Sequence, residues 1–191
     1  MIEWINQIDI KIFLILNSFH NSFFDQLMWM ISSKTIWIPM YLVLLYLLIK
    51  NYKKESVFIF IGIIIAVALA DSLSVVLFKD VFKRFRPSHN PEIESLIHIV
   101  NNYRGGDYGF ISSHASNVFA LAVVINYFLK SKYKYFSYFI FSWASVVCYS
   151  RIYLGVHYPG DILCGAIFGS FIAFVIISIY KYMKGKYLIK I

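Results

Sequence analysis

Charge is what this chain has least of. Only 15% of its 191 residues are charged, against 60% that are hydrophobic, and the mean hydropathy is +0.67. A soluble domain of this length would be nearer half apolar and a quarter charged, so that class is excluded. The apolar runs are continuous and do not alternate with polar residues, which excludes an outer-membrane barrel. Only two cysteines are present, Cys148 and Cys164. They give neither a metal-site spacing nor a disulfide framework, and they read as small buried apolar residues. There is no internal repeat, low-complexity tract or linker, so residues 1–191 are read as one domain. The opening "MIEWINQIDIKIF" has no basic region and no small-residue cleavage site, and does not read as a cleaved signal. It is expected to be an interfacial segment leading into a first span.

What is abundant is apolar and aromatic: fifteen Tyr, eighteen Phe and four Trp, a set suited to lipid and to anchoring at its interfaces. Five clear apolar segments fall at about 36–50, 56–78, 115–130, 135–150 and 162–180. A weaker one between about 12 and 33 is interrupted by "NSFHNSFFDQ" and is expected to be a broken or tilted helix. A span needs about twenty residues, so the shorter runs must borrow polar flanking residues for their helix ends. The fold class is therefore all-α, a polytopic bundle of six transmembrane helices. "GAIFG", Gly165 to Gly169, fits close helix packing and does not by itself call for dimerisation.

The net charge of +8 comes from lysines at segment ends. Lys50, Lys53 and Lys54 share one loop, Lys130, Lys132 and Lys134 another, and Lys181, Lys184, Lys186 and Lys190 the C-terminal stretch. Six spans would put these clusters on one side, with Lys11 beside them, and the positive-inside rule makes that side and both termini cytoplasmic. No basic face is left for a nucleic acid, and the lysines are read as contacts to anionic membrane lipids. Seven cations fall elsewhere: Lys34, Lys79, Lys83, Arg84, Arg86, Arg104 and Arg151. Six of them lie in two segments, 79–114 and 150–161, on the side that topology disfavours, which points to an anionic ligand there.

Those segments hold Lys79 and Arg86 at one span end, Ser112 and His114 at the start of the next, Arg151 at the end of a third, and His157 and Asp161 before the last. Guanidinium groups bind phosphate oxygens bidentately and lysine adds a point charge. The helix start at Ser112 to His114 offers free N–H groups and a positive dipole end. Of two histidines, one neutral can attack phosphorus while the other, protonated, serves the leaving oxygen. Asp161, four residues beyond His157, can hold one ring nitrogen as N–H. Two histidines and an aspartate could suggest zinc, but the neighbouring cations would repel it, so no metal and no cofactor are expected. Asp71 sits inside a span, where an ionisable side chain is expensive and needs a partner. Lys83 and Arg84 are read either as ligands for a second head-group charge or as water-facing. His20, His89 and His98 are read as surface or interfacial residues.

Taken together, "KDVFKRFRP" (Lys79 to Pro87), "ISSH" (Ile111 to His114) and "SRIYLGVHYPGD" (Ser150 to Asp161) resemble the three-part signature of the PAP2 phosphatase superfamily. The architecture is similar over residues 20 to 180 and the motif-bearing core runs from 79 to 161. The resemblance implies that His157 is the nucleophile forming a phosphohistidine, that Asp161 orients it, and that His114 is the general acid. It implies that Lys79, Arg86, Ser112, Ser113 and Arg151 hold the phosphoryl oxygens. The second motif departs from the usual Pro-Ser-Gly-His: Ile111 stands for the proline and Ser113 for the glycine, and the helix-start pocket is expected to survive both changes. The implied activity is metal-independent hydrolysis of a phosphorylated lipid at the outer face of a bacterial cytoplasmic membrane. Undecaprenyl diphosphate is the first substrate the resemblance implies, with lipid A, phosphatidylglycerol phosphate or phosphatidic acid as alternatives.

Overall fold

The computed structural model describes residues 2–186; Lys190 lies outside them. Seven helices of more than three turns are built from the apolar runs: α1 (Ile2–Ser18), α2 (Ser22–Ser32), α3 (Ile38–Tyr52), α4 (Ser56–Ser74), α5 (Ser113–Leu129), α6 (Phe136–Tyr153) and α7 (Pro159–Lys186). Among the described residues no strand forms; a single bridge pairs Phe85 with Tyr108. All six expected apolar segments are helical. The five clear ones are α3 to α7, and the weak one is the broken pair α1–α2.

Local chemistry sets the helix ends. Asn21 caps α2 by accepting the Phe24 N–H at 2.9 Å. A proline in the first turn of α3 costs no hydrogen bond there. Lys53, at φ 48°, turns the chain from α3 into α4. Helix α4 runs on through a π-turn (Val75–Lys79) and a short turn (Asp80–Phe82). The stretch Thr35–Phe82 and the helix Pro159–Lys186 are long and apolar enough to cross a membrane, and Ser113–Leu129 is a shorter apolar helix.

The closest pairing is α5 against α7, and glycine permits it. A Cβ on Gly165 would stand 2.5 Å from the Ser112 carbonyl oxygen, and one on Gly169 would stand 2.0 Å from that of Ser116. Around this pair a core of Leu44, Leu48, Ile59, Ile63, Val124, Phe128, Ile140 and Trp143 joins α3, α4, α5 and α6.

Contacts define two ends. At one, Tyr52 donates to the Phe128 carbonyl and Glu55 meets Lys184; the three lysine clusters gather there. At the other, Ser74 meets Ser113 and Arg151 meets Ser32. Helices α1 and α2 both lie at this second end. Asp9 of α1 accepts from the Gly160 N–H at 2.7 Å, Asn17 donates to the Tyr153 carbonyl at 2.9 Å, and Asp25 of α2 accepts from Tyr153 Oη at 2.7 Å. Helix α1, which carries Lys11, therefore lies at the end opposite the other lysine clusters, against the expected grouping; the two chain ends, residue 1 and residues 187–191, lie outside the described residues. Helix α1 is bound along its length to the second end by Asn6, Asp9 and Asn17. In "PEIESLIHIV", Pro91 to Val100, residues 91–96 form a run of turns. The Asn90 side chain and carbonyl take up the N–H groups of Glu92 and Glu94, while the His98 N–H is taken by Asn17.

Candidate active site

The second end collects Lys79, Arg86, Ser112, Ser113, His114, Arg151, His157 and Asp161. His157 sits in the five-residue loop between α6 and α7, where Gly155, at φ +75°, turns the chain. Its side chain is 1% exposed. Nδ1 lies 3.3 Å from Asp161 Oδ2 and Nε2 lies 3.3 Å from an Arg86 guanidinium nitrogen. Asp161, in the first turn of α7, also accepts the Tyr158 N–H at 3.0 Å. With Nδ1–H directed at the carboxylate, the Nε2 lone pair is left on the Arg86 side. Burial first, and then the cations of Arg86, Arg151 and Lys79, hold His157 well below its ordinary 6.5, so the imidazole is neutral at physiological pH.

Arg86 is fixed along its length. Its Nε donates to the Tyr108 carbonyl and one terminal nitrogen to that of Val156. Gly105 and Gly109 leave the room it needs: a Cβ on Gly105 would meet its guanidinium nitrogen at 2.8 Å, and one on Gly109 would meet its Cγ at 3.1 Å. Arg151, 3% exposed at the end of α6, donates to Ser32 Oγ and to Tyr103 Oη, while its Nε has no partner among the described residues. That leaves a buried cationic donor open to an anion.

Ser112 is the N-cap of α5 and its hydroxyl accepts the Ala115 N–H at 3.4 Å, while its own N–H goes to the Asp161 carbonyl. Ser113 Oγ accepts from Lys79 Nζ at 2.8 Å and shares a 2.6 Å bond with Ser74. Ser113 thus does more than keep the small volume of a glycine: it anchors Lys79. His114 lies within electrostatic range of His157, Arg151 and Arg86, and shares a recess of about 220 Å³ with Trp29, Ser32, Tyr103 and Arg151.

Sequence reasoning left Arg84 open between a phosphate ligand and a solvated cation, and the structure gives it a third place. It donates to Asp161 Oδ1 at 2.9 Å, pairs with Asp9 at 2.8 Å, bonds Asn6, and lies 4.0 Å over the Tyr158 ring. Ser32, Ser74, Tyr103 and Asp9 join the constellation too; all lie outside the motifs, Asp9 and Ser32 far from them in sequence, and only the burial of their partners would have called for them. His98 pairs with Asp25 at 2.8 Å under a stacked His20, and His89 meets Ser88 and Asp107, all outside the site. Both cysteines are free. Among the described residues no group of three or more His, Cys, Asp or Glu could hold a metal ion.

Beside His114 opens a groove of about 610 Å³ between α3, α4 and α5, walled by residues such as Trp37, Leu44, Leu48, Ile63, Val118 and Ile125. The recess at Arg151 and the apolar groove thus meet at His114, Ser32 and Ser33.

The chain belongs to the PAP2 superfamily, whose model matches residues 56–184. It is 40% identical to the lipid A 4'-phosphatase of Bacteroides thetaiotaomicron over 174 residues, 90% of this chain and 76% of that protein. It is 35% identical to the lipid A 4'-phosphatase of Porphyromonas gingivalis, over 97% of this chain and 78% of that one. An undecaprenyl-diphosphatase of Sulfolobus acidocaldarius is 30% identical over 75% of this chain and 63% of its own. In fold it resembles the transmembrane PAP2 type phosphatidylglycerolphosphate phosphatase of Bacillus subtilis, with a TM-score of 0.73, 21% identity and coverage of 94% and 88% of the two chains. This is a membrane phosphatase of the PAP2 type, acting on a phosphorylated lipid.

Proposed function

We propose that this PAP2 superfamily member removes the 4'-phosphate of a lipid A-type glycolipid at the outer face of the cytoplasmic membrane. One observation carries the lipid reading: the apolar groove opens at His114, beside the recess held by Arg151, so phosphate and tail are taken from one entrance. The head-group assignment is supported by the identity to two lipid A 4'-phosphatases across nearly the whole chain. It replaces undecaprenyl diphosphate, the substrate first expected from sequence, which keeps the support of the 30% identical relative as a second reading.

In the mechanism, Nε2 of His157 attacks phosphorus, forming an N–P bond as the P–O bond to the lipid breaks. Asp161 holds the Nδ1–H and stabilises the charge the ring acquires. His114 gives its proton to the departing oxygen, then takes one from the water that splits the phosphohistidine and releases phosphate. The cations Arg151, Lys34 and Arg86 lie within electrostatic range of His114, and the incoming phosphate supplies the negative charge that offsets them. Lys79, Arg86 and Arg151 hold the equatorial oxygens, with N–H groups at the start of α5. Ser112 and Ser113 act as the cap of α5 and the seat of Lys79. The positive-inside rule supports a cytoplasmic lysine-rich end, and with it a site and a helix α1 at the outer face.

The test is phosphate release by the purified protein from hexa-acylated lipid A 1,4'-bisphosphate, undecaprenyl diphosphate and phosphatidylglycerol phosphate, with mass spectrometry locating the phosphate lost. Loss of the 4'-phosphate at the highest kcat/KM supports the reading. Faster turnover of undecaprenyl diphosphate would replace it.

A further inference from the structure

Asp71 is the side chain that neither the fold nor the mechanism uses. It lies on α4, within the apolar run, and it is exposed on the wall of the groove that opens at His114. An ionisable group at such a depth is costly and is kept for a reason. Its Oδ1 accepts from Asn117 Nδ2 at 2.6 Å. Asn117 is three residues past His114 on α5, hence on the same face and about 4.5 Å deeper along the axis. To make that bond Asn117 leaves its own Oδ1 buried without a hydrogen-bond partner among the described residues.

Two structural readings compete. The pair could be no more than a polar contact joining α4 to α5. Such a bond gains little when it strands a buried acceptor, because an unmade hydrogen bond costs about as much as a made one contributes. Asp71 could instead tune Lys79, which lies within its electrostatic range. Lys79, however, is already seated on Ser113 at 2.8 Å. What the pair presents to the groove is the other oxygen of the Asp71 carboxylate, an acceptor with no donor among the described residues, one helical turn below the phosphate recess. An all-hydrocarbon chain offers it nothing, and an ester carbonyl offers a second acceptor. A hydroxyl or amide N–H on the tail satisfies it.

We propose that Asp71, positioned by Asn117, is a specificity site that binds a hydrogen-bond donor on the tail of the substrate close to the phosphorylated head. It selects lipids whose acyl chains carry hydroxyl or amide groups over polyprenyl and simple ester lipids. The inference rests on the proposed reading that the phosphate is taken at His114 and His157.

Two substrates of matched chain length separate the alternatives: ceramide 1-phosphate, with an amide N–H and a hydroxyl next to the head, and phosphatidic acid, with ester carbonyls only. The wild-type protein is expected to favour ceramide 1-phosphate about tenfold or more in kcat/KM. In Asp71→Leu/Asn117→Leu, and in the milder Asn117→Ala, that ratio falls towards one. Equal loss on both substrates would assign Asp71 to Lys79, and a lowered melting temperature with an unchanged ratio would leave only the helix contact; either overturns the proposal. A readout independent of turnover uses phosphate-free short-chain ceramide and matched diacylglycerol, titrated into detergent-solubilised wild-type protein and followed by the emission of Trp37 in the groove wall. Tighter binding of ceramide, lost in the variants, supports the site even if neither phospholipid is hydrolysed, in which case the phosphatase reading fails alone. Equal binding of the two lipids by the wild-type protein overturns the site while leaving that reading standing.

Discussion

Arg84 reaches Asp161 Oδ1 at 2.9 Å, while the other oxygen of that carboxylate faces His157 Nδ1 at 3.3 Å. One aspartate with no exposed surface therefore joins the proposed nucleophile to a cation outside the phosphate recess. That cation is itself tied to α1 through Asp9 and Asn6. The N-terminal helix is thus mechanically connected to the imidazole.

If Arg84 positions Asp161, Arg84→Gln lowers kcat about ten- to a hundredfold, since a misplacement near 1 Å at a reacting centre costs about that much. KM moves little, because Arg84 does not face the recess. Asp9→Asn gives a smaller fall of the same kind. A rise in KM with kcat held would return Arg84 to phosphate binding. The measurement is steady-state phosphate release with both constants resolved.

Replacing His157 by alanine removes the atom that takes the phosphoryl group, and activity falls at least about a thousandfold. Rapid acid-free quenching after radiolabelled substrate should trap an acid-labile, base-stable phosphoenzyme in the wild-type protein and none in His157→Ala. His114→Ala is expected to slow a lipid alkoxide leaving group about a hundredfold or more, and an activated aryl phosphate far less. Full turnover in His157→Ala removes the nucleophile assignment.

The lowered proton affinity of His157 fixes the sign of two pH effects. Folded His157 stays neutral below 6.5, its ordinary value, where the unfolded chain begins to bind a proton. Unfolding then takes up a proton, so stability is complete above about 6.5 and falls as the pH drops towards the folded value. Thermal melts should decline from pH 7.5 to 5, and His157→Gln should flatten that slope. In the same range the nucleophile stays unprotonated, so an acid limb of kcat/KM near 6.5 cannot come from His157.

Much of this site was legible in the sequence because its parts lie at segment ends, where a topology rule makes misplaced cations conspicuous. Lys79, Arg86 and Arg151 were found in that way, His157 and Asp161 followed from the same segments, and the structure brings them together. Arg84 was visible but ambiguous: position alone does not say whether a guanidinium faces phosphate or a carboxylate. The place of α1 was legible only as an interfacial segment, not as one bound to the end that holds the site. Its apolar run of about four turns is compatible with an oblique span, and only the bonds of Asn6, Asp9 and Asn17 to the second-end loops show it lying there. Lys11 misled for the same reason, since the positive-inside rule counts charges and cannot see which helices cross.

Chelation tests the metal-free mechanism. Three cations and two histidines around a single carboxylate make a phosphate site and a poor home for a divalent cation. Activity should persist in excess EDTA, and orthovanadate should inhibit, since an oxyanion that expands to five ligands resembles the phosphoryl transfer state. Loss of activity in EDTA, restored by added magnesium or zinc, would require a metal in the mechanism.

The close crossing of α5 and α7 carries a stability prediction that also reaches the site. Gly169 packs against the backbone of Ser116, and a Cβ there would stand 2.8 Å from the Ser116 Cα as well as 2.0 Å from its carbonyl oxygen. Backbone cannot swing aside as a flexible side chain can, so Gly169→Ala must push α5 and α7 apart. Overpacking of this kind costs about 1–3 kcal/mol, or roughly 3–10 °C in melting temperature for a chain of this size. Helix α5 begins at Ser113 with Ser112 as its cap, and α7 carries Asp161 in its first turn. The two are joined at the site by the Ser112 N–H to Asp161 carbonyl bond of 3.0 Å. Separation one to two turns below therefore strains the seat of the His157–Asp161 pair. Gly169→Ala should lose activity well below its melting temperature, whereas Gly185→Ala, where a Cβ meets nothing within 4 Å, should change neither. A differential melt and a turnover assay on the two variants decide it: an unshifted melt for Gly169→Ala would mean that the helices hold slack the geometry does not show.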